Sequence, residues 1–106
     1  MEKKSIISAQ TFDENKFTKT NVFKNETSTL FVLNFLPKQQ LPAHYHPGHE
    51  LYLHVLQGNG TFTIDEIAVE VTKDDVIHVT GDENLAFTNT GENNVSIYVT
   101  MSKLPK

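Results

Sequence analysis

From residue 22 onward the chain is a succession of short apolar runs separated by turn-forming residues, and this pattern predicts strands. Residues 29–36 (TLFVLNFL) are dense in β-branched and aromatic side chains and end at Pro37, which cannot continue a central ladder. Residues 50–56 (ELYLHVL) run into Gln57, Gly58, Asn59 and Gly60, whose Gly and Asn tolerate the positive φ of a hairpin turn. Residues 61–64 and 67–71 form a second predicted hairpin about Asp65 and Glu66, and residues 75–79, 85–88 and 95–101 supply three further strands. Ile6 and Ile7 allow one more short strand, and residues 13–19 read as loop. No segment carries apolar residues at helical spacing over a useful length. Eight or nine short strands predict an all-β double sheet closed as a barrel, because closure removes unpaired edges.

Composition narrows this further. The 106 residues fit one domain, with a barrel core over residues 22–101 and a loose tail over residues 102–106. A net charge of −4, with no basic residue between Lys38 and Lys73, argues against a nucleic-acid partner. The absence of cysteine excludes disulfides, thiolate ligands and cysteine nucleophiles. A charged N-terminus followed by only two apolar residues predicts no secretory segment, and no apolar run is long enough to span a bilayer. The expected setting is the cytoplasm. Residues 29–36 are apolar on both alternating faces (Leu30, Val32 and Leu36 against Phe31, Leu33 and Phe35), so one cover is expected to be a second subunit. Phe31, Phe35, Phe62 and Phe87 are the expected barrel core.

The distinctive chemistry lies in residues 41–50 (LPAHYHPGHE). Residues two apart on a strand share a face, so His44 and His46 project together. Paired imidazoles are poor core material and make half of a metal site. Pro47 and Gly48 then turn the chain, and Glu50 is placed to return a carboxylate. Two histidines and one carboxylate leave open positions on a divalent ion, the arrangement of non-haem iron enzymes. Tyr52, His54 and His78 are further candidates for ligation or pocket lining: if Glu50 faces inward, Tyr52 and His54 face inward with it.

The stretch from His44 to Gly58 resembles the first motif of the cupin family, a His-x-His pair, a Glu and a strand ending in Gly. Residues 73–79, continuing to Asn89, Thr90 and Gly91, resemble the second. The resemblance covers roughly residues 30–100 and implies a cupin-type jelly-roll barrel, often dimeric, with a metal held by three histidines and a glutamate. Two positions depart from the pattern. The second-motif histidine falls on Leu85. Seven residues separate Glu50 from Gly58 where six are usual, so either a bulge absorbs the extra residue or Leu51 takes the glutamate's place.

These features support a metal-binding cupin of unidentified substrate, with His44, His46 and Glu50 holding iron, manganese, nickel, copper or zinc for dioxygenase or isomerase chemistry on a small organic molecule. The alternative is a non-catalytic small-ligand binding or sensing barrel with a degenerate metal site that need not hold an ion. A structural dimer with a degenerate site is the third reading.

Overall fold

The computed structural model describes residues 1–105, and it is built from strands that follow the hydrophobic alternation closely. After a four-residue 3-10 turn, Ile6–Ala9, come β1 (Thr18–Lys24), β2 (Ser28–Phe35), β3 (Gln40–His44), β4 (His49–Gln57) and β5 (Asn59–Ile64). They are followed by β6 (Ile67–Thr72), β7 (Val76–Thr80), β8 (Leu85–Thr88) and β9 (Val95–Lys103). The strands form two antiparallel sheets, ordered β1-β2-β9-β4-β7 and β3-β8-β5-β6, the jelly-roll arrangement of a double-stranded β-helix.

Between the sheets, alternate residues of each strand are buried: Phe31, Leu33 and Phe35 of β2, Leu51, Leu53 and Val55 of β4, and Val95, Ile97 and Val99 of β9. The registers Phe35↔Val95 and Phe31↔Val99 align these rows, so the interior has two distinguishable ends. At one end Phe35, Phe62 and Phe87 pack ring against ring, with centroids 4.8 and 4.7 Å apart, and fill the space. The side chains at the other end leave a cavity.

The structure corrects several expectations. Gly58 (φ 81°) does not close a hairpin. β4 pairs with β7 and β9, whereas β5 pairs with β6 and β8, so the bend at Gly58 carries the chain from one sheet to the other. The predicted hairpin at Asp65 and Glu66 is present, both residues adopting positive φ between Ile64 and Ile67. Ile6 and Ile7 lie in the 3-10 turn rather than a strand, and β1 begins at Thr18, inside the expected loop. β9 runs through Lys103, whose N–H donates to the Thr27 carbonyl, so most of the expected tail is anchored; Lys106 lies outside the described residues.

The outer face of β2 is covered by the chain itself. Val32 is buried with Ala9 and Val22, and Ile6, Phe23, Leu30, Leu56 and Tyr98 pack around them. A buried polar network fixes this cover: Asn34 Nδ2 donates to the Ala9 carbonyl (2.8 Å) and to Thr18 Oγ1 (3.1 Å), while the Ser96 hydroxyl donates to Asn34 Oδ1 (2.7 Å). The doubly apolar strand thus finds its second cover in its own N-terminal segment. No helix among the described residues is long and apolar enough to cross a membrane.

Candidate functional site

The site starts from a fault in the β3–β8 ladder. Leu41 pairs with Phe87, but Leu85 pairs with His44 instead of Ala43, so β3 carries one extra residue. Such a bulge reverses side-chain parity. Leu41, Pro42, Ala43 and His44 all border the interior cavity. Beyond β3, Pro47 and Gly48 (φ 76°) form a tight turn closed by the His49 N–H donating to the His46 carbonyl (3.1 Å). The His46 N–H donates to the Gly81 carbonyl (3.1 Å), docking the turn onto the segment after β7. Gly81 is required there: a Cβ would strike the carbonyl oxygens of His46 and His49.

The His44 and His46 rings lie 4.3 Å apart, inclined at 56°. His44 Nδ1 is 2.9 Å from the Pro42 carbonyl oxygen, which only accepts, so Nδ1 carries a proton. His46 Nδ1 is buried and has no hydrogen-bond partner in the protein. Burial, reinforced by His44, His49 and Lys19, lowers the His46 pKa from its ordinary 6.5 to about 4. His46 is therefore neutral at pH 7.

Both rings border a cavity of about 480 Å³, within the range of small-molecule sites. Its wall is overwhelmingly apolar, with Phe31, Leu53, Leu85, Val99 and Met101 among its residues. Lys19 of β1 completes the lining, its Nζ 4.5 Å from the centroid of the Phe31 ring. Sequence reasoning misses Lys19 because residues 13–19 read as loop. The available signal is period two: Phe17, which stacks on Phe35 at 5.4 Å, puts Lys19 on the same inward face.

Glu50 is not brought to the histidine pair. Leu51, only 1 % exposed, takes the inward position of β4, while Glu50 lies on the outer face across from Thr80 and Ser102. A bulge does exist between Val55 and Gln57, but it lies downstream and leaves Leu51, Leu53 and Val55 inside. Glu50 instead accepts a hydrogen bond from the Tyr52 hydroxyl (2.8 Å) and pairs with His78 Nε2 (2.9 Å). Tyr52 stacks on His78, with centroids 4.7 Å apart, and His54 meets Asp74 at 3.1 Å on the same outer face. The Glu50 carboxylate, through its hydrogen bond and then its charge, raises the Tyr52 pKa. Thus Tyr52, His54 and His78 gather around Glu50 and Asp74 on the outer surface, away from the cavity.

The donor set does not fit the metal that the resemblance implies. Leu51 and Leu85, each 1 % exposed, line the cavity where the missing carboxylate and third histidine would stand. Among the described residues no group of three or more His, Cys, Asp or Glu is arranged to hold an ion. Two imidazoles fall short of the three protein ligands usual at catalytic zinc.

The sequence profile of the cupin domain matches residues 31–101, and the chain belongs to the cupin family. Solved structures agree on the fold. A protein of Thermus thermophilus is 19 % identical, with a TM-score of 0.91 over 99 % of this chain and 100 % of its own. An RmlC-like cupin from Desulfovibrio desulfuricans is 23 % identical, with a TM-score of 0.85 over 96 % of both chains. A cupin-superfamily sugar phosphate isomerase from Silicibacter pomeroyi is more distant, 17 % identical with a TM-score of 0.67 over 76 % of this chain and 53 % of its own. No curated protein matches the sequence.

Proposed function

We propose that this cupin is a small-ligand-binding barrel, in which His44 and His46 act as hydrogen-bonding groups at the edge of an apolar cavity and not as metal ligands. The observation that carries the reading is the pairing of Leu51 and Leu85 at the missing ligand positions with His44 and His46 on the lining of the same cavity. The cavity wall also bears on what is bound. A sugar phosphate, the substrate class named for the Silicibacter pomeroyi isomerase, presents hydroxyls on every side, and these leucine, valine and phenylalanine side chains offer them no partners.

The test combines elemental analysis with binding of Nile red, an uncharged apolar dye. Iron, manganese, nickel, copper and zinc are expected to be sub-stoichiometric, and dye binding is expected to persist after chelation. One equivalent of any of these ions, lost in a His44→Ala/His46→Ala variant, overturns the reading in favour of a metal-dependent one.

A further inference from the structure

The charges around the cavity are one-sided. Among the described residues Lys19 is the only one with a fixed charge in the lining, and no aspartate or glutamate contributes to the wall. Among the described residues Lys19 has no ion-pair partner; its ammonium rests over the Phe31 ring, which is itself part of the wall. Lys19 is itself exposed, so its ammonium is a solvated cation bordering an apolar space. Its three N–H donors lie on the same lining as two imidazoles, and the opposite outer face carries the carboxylates of Glu50 and Asp74. An amine would meet a cation with no carboxylate to pair with, whereas a carboxylate would meet an unpaired donor.

Resting on the ligand-binding reading above, we infer that the natural ligand is a small apolar monocarboxylate, its hydrocarbon part against Leu53, Leu85 and Val99 and its carboxylate held by Lys19 beside His44 and His46. The influence of the Lys19 charge on His46 is consistent with all three side chains sharing one neighbourhood. The cavity of about 480 Å³ has room for a chain or ring of several carbons plus the head group.

The experiment is calorimetric titration of the full chain with octanoate, octanamide and octylamine, which share a tail and differ in the charge of the head. Octanoate is expected to bind about tenfold more tightly than octanamide, the increment of one charge-assisted hydrogen bond, and octylamine more weakly than either. In Lys19→Met and Lys19→Gln the ratio of octanoate to octanamide affinity is expected to fall toward unity, and in Lys19→Arg to survive. Thermal melts of each variant separate this from misfolding. Equal binding of octanoate and octanamide, tighter binding of octylamine, or an unchanged ratio in both neutral variants overturns the carboxylate inference while leaving the ligand-binding barrel standing. Failure of all three compounds and of Nile red overturns both.

Discussion

Two polar clusters lie on opposite faces of the same part of the barrel, and they differ in how their hydrogen bonds are met. On the outer face Glu50, Tyr52 and His78 satisfy one another, and His54 satisfies Asp74, with water available to the rest. On the inner side His44 and His46 border an apolar cavity, and a buried nitrogen of His46 has no partner. Exposed pairs of the first kind contribute little to stability. An unmet polar atom of the second kind is unfavourable. Residue type alone assigns both clusters the same chemistry; the parity of β4 separates them.

The largest effect that sharpens this contrast comes from rebuilding the missing set. In the double variant Leu51→Glu/Leu85→His the metal-free protein is expected to lose roughly 3–5 kcal/mol, because polar and charged groups are forced into the apolar interior. Nickel or zinc is expected to recover much of that loss as a rise in melting temperature, read by calorimetric scans with and without the ion. Leu85→His alone, which leaves Glu50 on the outer face and adds no carboxylate to the cavity, is expected to give a much smaller metal response.

Next in size is Gly81→Ala. Its Cβ would meet the carbonyls of His46 and His49, so the turn carrying His46 must move, at a cost of roughly 2–3 kcal/mol in denaturant unfolding. Nile red binding is expected to weaken with it.

The pH dependence follows from His46. Its folded-state pKa is lowered from 6.5 to about 4, so between those values the unfolded chain binds more protons than the native one. The contribution is fully present above about pH 6.5 and is lost as pH falls toward 4. With allowance for the partial exposure of the ring, the loss is about 1–2 kcal/mol. Urea midpoints measured across that window are expected to fall with pH in the native sequence and to fall less in His46→Gln.

The smallest effect is expected on the outer face. Glu50→Gln, which alters an exposed carboxylate–imidazole contact, is expected to cost less than about 1 kcal/mol and to leave dye binding unaltered. A strong loss of binding in Glu50→Gln would erase the distinction between the two clusters.

Much of the fold is legible in the sequence because strand periodicity is a local property. The pattern bounds residues 85–88 as β8 is bounded, the turn at Asp65 and Glu66 falls where expected, and Phe31, Phe35, Phe62 and Phe87 are all buried. What is not legible depends on partners distant in sequence. Gly58 marks a bend whether the next strand pairs back or crosses to another sheet, and only the β5–β8 pairing decides between them. The cover over Val32 comes from Ala9 and Val22, held by Asn34, and no periodic signal connects them. Glu50 is misplaced for a different reason: in a period of two, one residue of uncertainty is the difference between inside and outside. The histidine pair is visible as a motif, but the leucines that change its meaning look like ordinary strand residues until the cavity brings them together.

Whether the cavity beside His44 and His46 binds its ligand without a metal ion is tested most directly by amide shift mapping. Chelator-treated, isotope-labelled protein is titrated with octanamide. Movement is expected at Leu33, Leu53, Leu85 and Val99, unaltered when zinc or nickel is added back. Shifts confined to Glu50, Tyr52 and His78, or appearing only after an ion is restored, would contradict binding without a metal.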